Sequence, residues 1–486
     1  MAKRMTIDRW IANIATRTPD KPALIFGDVS LSYADMARRI ETRAAELAGV
    51  GLVRGDRVAW YGLNHPDVFV LLFACARIRA ILVPLNWRLA EAEVAAIVGN
   101  AAPRLLFHDA HFADAARRIT GPVVLHVDEP PGPKAPVPGG AGPEDALLLV
   151  YTSGATGRPK GAVLTQKALA CNAAMSVEAH GMSADDIVLN VLPLFHVGGL
   201  NILPTPAFSI GATVVLHEKF GPDAMCAALQ QVTLAITVPT VLQAVTASAG
   251  WDKADLSGLR ALSIGSTDVP IAMIEAVQAR GVPVIQIYGA TETCPLAIYQ
   301  RIDEAITTTG SIGRIGSGCQ VRLMADGVEQ ATGAPGEIWV KGDNVLREYW
   351  RDADLSAQMI QDGWFRTGDV ATRDAEGLYW FTDRIKHVII SGGENIYPAE
   401  IERVLREHPQ IIEVAVVGRP DPKWGEIPVA VVVADGALDK TQVLACLTNR
   451  IARYKHPKDV VFVSALPRNA MGKVVALEVR ALIEAA

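Results

Sequence analysis

Leu147-Leu-Leu-Val-Tyr151 runs directly into Thr152-Ser-Gly-Ala-Thr-Gly-Arg-Pro-Lys160, and the reading of the chain turns on this join. An uninterrupted apolar run of this length is what a strand covered on both faces requires. The glycines and hydroxyls behind it make a loop whose backbone N–H groups can line an anion. It is not a G-x-x-x-x-G-K-[ST] loop, because Pro159 precedes Lys160 and Gly161 stands where a metal-binding hydroxyl belongs. Taken alone, the loop reads equally as an anion-binding rim or as a tight glycine turn.

The flanking sequence agrees with the buried strand. Ala23–Phe26 reads as a strand, Gly27-Asp28 as its turn and Leu31-Ser32 as the return. Ser32-Tyr-Ala-Asp35 then caps a helix running to about Leu47. Arg57–Tyr61 is another strand, and a helix opens at Pro66, where a first-turn proline needs no N–H. Such alternation predicts largely parallel sheets with helices on their faces. Asp128–Ala146, rich in proline and glycine, is a surface connection. Gly336–Val340 and Gly377–Phe381 alternate as half-buried strands; beyond them Val388–Ile390, Ala399–Glu407, Glu413–Val417 and Val429–Ala434 form a compact strand-and-helix tail. The expected architecture is a large N-terminal α/β domain of parallel and mixed sheets with flanking helices, 1–384, and a small mobile α+β C-terminal domain, 385–486.

Composition narrows the function. Half of the 486 residues are apolar and 20% charged, enough for ample cores, and the net charge of −6 gives no basic footprint for nucleic acid. The 6 cysteines are scattered without a C-x-x-C pair, unlike a disulfide framework or a zinc site. Val68–Leu85 is hydrophobic, but Arg77, Arg79 and Pro84 interrupt it, so no integral membrane segment is expected. Neither end carries a secretory, peroxisomal or lipidation signal, and a cytoplasmic location is expected.

Taken in order, Thr152-Ser-Gly-x-Thr-Gly-x-Pro-Lys-Gly161, Tyr288-Gly-x-Thr-Glu292, Trp364-Phe-Arg-Thr-Gly-Asp369, Asp383-Arg-Ile-Lys386 and Gly472-Lys473 resemble the adenylate-forming superfamily, over almost the whole chain. That superfamily holds acyl- and aryl-coenzyme A synthetases, peptide-synthetase adenylation domains and luciferases. The resemblance implies ATP, Mg²⁺ and coenzyme A as cofactors, and a catalytic set of Lys473, Thr152, Glu292 and His196. Thr152, Ser153, Gly154, Thr156, Gly157 and Lys160 match the phosphate loop, with Ala155 where relatives usually carry a hydroxyl. Gly265, Ser266, Tyr288 and Gly289 match nucleotide contacts, Thr291 the α-phosphate neighbour and Glu292 the Mg²⁺ ligand. Asp369 corresponds to the ribose anchor, Arg384 to a second nucleotide contact and Lys386 to the hinge. Lys473 corresponds to the cation that bridges two anions as a carboxylate meets the α-phosphate. Ser391, Gly392, Gly393 and Trp424 fall where the pantetheine arm of coenzyme A passes.

Leu192-Pro-Leu-Phe-His-Val-Gly-Gly-Leu-Asn201 resembles the acyl-pocket segment, placing His196, Val197 and Gly198 beside the acid, with Val238 from a second segment. Across 192–208, 234–246 and 284–299 there is no Lys or Arg, and the sole carboxylate is Glu292. A distal carboxylate on the substrate would be buried unpaired at a cost of several kcal/mol. The implied substrate is a monocarboxylic aromatic or medium-chain acid; Arg301, just outside, is the cation that could still reach in. Gly265-Ser-Thr-Asp268 stands where relatives commonly read Gly-Gly-Ala-Pro, which should narrow the space between adenine and acyl tail or offer hydrogen bonds to a substrate hydroxyl.

The expected activity is ATP-dependent ligation of an acid to coenzyme A through an acyl-adenylate, with the feruloyl- and medium-chain acyl-coenzyme A synthetases as the nearest branch. Transfer to a carrier-protein thiol, a dicarboxylate or succinylbenzoate substrate, and a non-catalytic nucleotide-binding protein are the alternatives. The partners are small molecules, and the sequence leaves a homodimer open.

Overall fold

The computed structural model describes residues 6–153, 159–265, 269–391, 394–422, 424–436, 438–448, 450–451, 453–469 and 472–484. The chain divides into two compact units, 1–321 with 340–366, and 322–339 with 367–486. The sequence-drawn division at 384/385 thus falls inside the second unit, which also takes in the strand Tyr379–Arg384. A local tie accounts for this: the Ala399 N–H donates to Asp383 Oδ2 at 2.8 Å, fastening the helix Pro398–Leu405 to the end of that strand.

Two sheets build the first unit. The nine-stranded one runs Arg314–Ile315, Ile298–Tyr299, Val284–Tyr288, Ala261–Gly265, Leu234–Thr237, Ile187–Asn190, Thr213–Leu216, Pro22–Phe26, Val29–Ser32. Its middle, from Val284–Tyr288 to Pro22–Phe26, is parallel throughout, and only the edges reverse. The seven-stranded one runs Glu348–Tyr349, Pro159–Thr165, Ala146–Ser153, Ile81–Pro84, Arg57–Tyr61, Leu105–His108, Val123–His126. It too is parallel except at the hairpin end. Parallel strands share one carboxyl edge, and open α/β sheets bind ligands there. At that edge Asn190, Thr237, Gly265 and Tyr288 end four adjacent strands.

Helix starts follow the sequence signals. Ser32 and Asp35 form a capping box at the head of Tyr33–Gly49, each side chain bonded to the other's backbone N–H at 3.1 Å. Pro66–Ile78 opens on its proline and is buried along most of its length, so the hydrophobic stretch is a core helix followed by a core strand. Arg77 in it reaches Glu41 at 3.2 Å. Phe69 and Phe73 meet Phe208 edge-on at 5.1 and 6.0 Å, pairs worth about 0.5–1.5 kcal/mol each beyond burial. Among the described residues no helix is long and apolar enough to cross a membrane.

The second unit centres on a sheet ordered Glu394–Ile396, Ile389–Ser391, Gly425–Ala434, Ile411–Asp421, with Asp459–Phe462 also paired to Gly425–Ala434. Its central hairpin is longer than the expected Glu413–Val417 and Val429–Ala434. Pro420 and Pro428 read as strand breakers, yet the register continues through them, with Glu426 opposite Pro420 and Gly418 opposite Pro428. The expected Gly377–Phe381 strand begins at Tyr379, because Asp374 turns the chain by accepting the N–H of Leu378 at 2.8 Å.

Candidate active site

Thr152 and Lys160 face each other at the mouth of an antiparallel hairpin, with Ser153 opposite Pro159. Gly154, Thr156 and Gly157 lie outside the described residues, as do Ser266, Gly392 and Gly393. A strand, Pro159–Thr165, follows this loop where a Walker-type site has a helix. Gly161 is glycine for a different reason: a Cβ would lie 2.7 Å from Leu149 and 3.2 Å from Trp350.

Tyr288 ends its strand half-buried, and the chain then turns sharply through Thr291–Thr293. Gly289 admits no side chain, since a Cβ would collide with the Pro295 carbonyl oxygen and come within 2.7 Å of Thr293 Oγ1. Gly265, on the adjacent strand, is similarly confined, 2.6 Å from the Ile287 carbonyl oxygen. Both are places where bare backbone is obligatory, at the carboxyl edge where a nucleotide would lie.

Sequence reading did not single out what holds this turn. Asn344, fully buried, donates its amide to the carbonyls of Thr293 and Leu296 at 3.2 and 2.7 Å. Asn172 accepts the Leu296 N–H at 3.0 Å and donates to the Asn201 carbonyl at 2.7 Å, while Asn201 donates to the Cys294 carbonyl at 3.3 Å. The Glu292 carboxylate, in the first turn of Thr291–Thr293, accepts the Tyr349 phenol on Oε1 at 2.8 Å. Burial, and then the negative Glu292 beside it, push the Tyr349 phenol well above the usual tyrosine range, so it remains a donor. One hard carboxylate, with phosphate oxygens and water completing the shell, is the donor set Mg²⁺ takes. Among the described residues no cluster of three or more His, Cys, Asp or Glu offers a competing metal cage. Glu292 therefore fits the ion.

A buried histidine supports the neighbouring strand. His180 turns Nδ1 to the Ser176 carbonyl at 2.7 Å, so Nε2 accepts from the Ser263 hydroxyl at 2.5 Å, two residues before Gly265.

The acyl-side segment leaves the strand Ile187–Asn190 through a turn pinned by two asparagines. Asn64 Nδ2 and Asn190 Nδ2 both donate to the Leu192 carbonyl, at 3.0 and 2.9 Å, and the Leu194 N–H donates to Asn64 Oδ1 at 2.9 Å. His196 then stands half-buried at the head of Val197–Asn201, its ring 5.1 Å from Phe195. Val197 is buried, and Val238 is half-buried at the end of the adjacent strand. Gly198 and Gly199 differ: a Cβ on Gly199 would collide with the Pro193 carbonyl, whereas one on Gly198 meets nothing nearer than Ile202 at 3.8 Å. Arg301 does not serve as a spare cation. Its Nε donates to Glu178 at 2.9 Å, and its guanidinium lies 3.8 Å from Glu304.

In the second unit Asp369 is 4% exposed and pairs with Arg384 at 2.9 Å, the two sitting opposite one another in the strand register. Lys386 falls in the short turn Ile385–His387. Ser391 pairs with Gly425, which places it beside Trp424, 45% exposed. Those two segments, separate in sequence, thus share one sheet edge. Lys473 follows Gly472 in a tight turn: the Lys473 N–H donates to Asn469 Oδ1 at 3.0 Å, and the Asn469 N–H returns to the Lys473 carbonyl at 2.9 Å. Gly472 has φ +75°, a conformation costly for other residues.

These features coincide with a family pattern. Residues 11–350 match the AMP-binding enzyme family and residues 400–473 the AMP-binding enzyme C-terminal domain. The chain belongs to the AMP-binding enzyme family. It is 48% identical to indoleacetate–CoA ligase of Aromatoleum aromaticum, across 99% of this chain and 98% of that one. Feruloyl-CoA synthase of Amycolatopsis sp is 40% identical, across 97% and 98%. Among solved structures, o-succinylbenzoate CoA synthetase of Bacillus subtilis, in complex with its acyl-adenylate intermediate, superposes with a TM-score of 0.89 at 30% identity, covering 97% of this chain and 98% of that one. The same protein has been solved with ATP and a magnesium ion.

Proposed function

We propose that the protein is an ATP-dependent, AMP-forming acid–coenzyme A ligase acting on an aromatic monocarboxylic acid. In the first step a carboxylate oxygen attacks the α-phosphorus of ATP, and the bond to pyrophosphate breaks. In the second the thiolate of coenzyme A attacks the acyl carbonyl, and AMP leaves. Thr152 and Lys160 hold phosphates; Tyr288, Gly289 and Gly265 bound the nucleotide; Asp369 accepts from the ribose hydroxyls. Glu292 would hold the magnesium ion, which would supply charge neutralisation at the phosphates. The Lys473 ammonium sits between the carboxylate and phosphate oxygens during adenylation. His196, Val197, Gly198 and Val238 shape the acyl pocket.

The observation that carries the substrate class is the engagement of Arg301 by Glu178. With it, the segments assigned to the pocket offer no lysine or arginine to a second carboxylate. The curated relatives at 48% and 40% identity, named for indoleacetate and ferulate, point to aromatic monocarboxylates as well. The part of the chain beyond Lys386, the expected pivot, turns between the two steps, a hinge motion of known type that would release the Ala399–Asp383 bond. Ser391 and Trp424 then flank the pantetheine arm. Pyrophosphate release against a panel of carboxylic acids tests the reading: arylacetic and hydroxycinnamic acids should lead the panel. Faster turnover of dicarboxylates, or of a carrier-protein thiol over free coenzyme A, would overturn it.

A further inference from the structure

We propose that Tyr349 is a positioning residue for the Glu292 carboxylate, and that residues 344–350 form a staple fixing the phosphate hairpin to it. The inference rests on the reading above, in which Glu292 meets the magnesium of the nucleotide.

The staple has two sides. Toward the Glu292 turn, Asn344 donates to Thr293 and Leu296, the Leu346 N–H donates to the Glu292 carbonyl at 2.7 Å, and the Tyr349 phenol donates to Glu292 Oε1 at 2.8 Å. Toward the hairpin, the Arg347 N–H donates to the Val163 carbonyl at 2.9 Å and the Trp350 N–H to the Gly161 carbonyl at 2.7 Å. Glu348 and Tyr349 pair with Val163 and Ala162, on the strand that begins at Pro159. One short stretch of chain therefore spans from the base of the phosphate loop to the carboxylate.

Tyr349 is built to hold still. It is 5% exposed, and its N–H is anchored by Ser356 Oγ at 2.9 Å. Its phenol thus helps set the plane of the carboxylate, and supporting partners of this kind raise metal affinity by fixing their ligand. Tyrosine is needed only for its hydroxyl; the ring packing and strand pairing persist in phenylalanine.

The test is isothermal calorimetry of ATP binding to the full-length protein, with and without Mg²⁺. Tyr349→Phe should weaken the magnesium-dependent part of ATP affinity by about 10–100-fold, leaving ATP affinity in EDTA and thiolysis of supplied acyl-adenylate unchanged. Ser356→Ala, which loosens Tyr349 without removing its phenol, should give a smaller loss in the same direction. If both variants keep the wild-type magnesium dependence while Glu292→Gln loses it, the positioning role is wrong and the metal assignment stands. If Glu292→Gln also keeps it, the metal assignment fails and takes this inference with it.

Discussion

Adding one methyl group at Gly289 tests whether the turn after the Val284–Tyr288 strand is as rigid as its geometry indicates. In Gly289→Ala the new carbon would stand 2.7 Å from Thr293 Oγ1 and 2.8 Å from the Pro295 carbonyl carbon, with the carbonyl oxygen closer still. Carbon contacts are comfortable at about 3.5–4.0 Å, and the obstruction is partly backbone, so no rotamer change relieves it. The turn must retreat by more than about 1 Å, as judged from that spacing. Retreat strains the Thr293 hydroxyl, which joins the Ala290 N–H and the Pro295 carbonyl at 2.9 and 2.8 Å. Overpacking of this kind costs about 1–3 kcal/mol, and each strained hydrogen bond about 1 kcal/mol. The kinetic effect should be larger, because a 1 Å misplacement of reacting groups slows chemistry by about 10²-fold. ATP–pyrophosphate exchange measures it, with thermal melting alongside. Exchange within a factor of about three of wild type, set against that 10²-fold expectation, would show that the turn is soft and that Gly289 is not bare for the sake of the site.

Four further outcomes follow from the same geometry. Lys473→Ala should abolish pyrophosphate exchange yet spare thiolysis of supplied acyl-adenylate; equal loss of both steps would remove its assigned role. Trp424→Ala should raise the KM for coenzyme A about tenfold, the scale of a lost aromatic contact, and leave exchange untouched; an unchanged KM would mean that the exposed indole does not meet coenzyme A. Gly199→Ala should lower stability by about 1–3 kcal/mol through overpacking, while Gly198→Ala should melt like wild type and discriminate against bulky aromatic acids through KM; equal melting of the two variants would refute the distinction. Burial pushes the His180 imidazole down to about 4, from the usual histidine value of 6.5. The unfolded chain therefore binds the extra proton first as pH falls. The stability this site contributes is complete above the higher value and is lost progressively toward the lower one, by about 3 kcal/mol in all. Urea midpoints recorded across that window should show a steeper pH slope for wild type than for His180→Gln, and identical slopes would contradict it.

What the sequence disclosed was local or strongly patterned. The apolar run ending at Tyr151, the capping box at Ser32 and the first-turn proline at Pro66 act through neighbours in the chain, and each element formed where expected. The candidate site was legible for a similar reason, because glycine at 265 and 289 and the motif around Glu292 are short strings. What escaped depends on distant partners. Asn172, Asn201 and Asn344 look like ordinary amides until folding buries them together around one turn. Tyr349 acquires its task only because its strand pairs with the one leaving the phosphate hairpin, 57 residues from Glu292. The expected strands Glu413–Val417 and Val429–Ala434 fell short for the same reason, since sheet pairing carries the hairpin on through Pro420 and Pro428.

The unequal glycines at 198 and 199 bear on how this scaffold diversifies. A Cβ on one would collide with the Pro193 carbonyl; one on the other meets Ile202 at an ordinary 3.8 Å. If Gly198 lines the acyl pocket as proposed, a mutation there would change which compounds are accepted while the fold tolerates it, so new chemistry could be explored without a compensating change elsewhere. Lineages adapting to unfamiliar aromatic nutrients would be expected to vary at 198 and to keep 199 fixed.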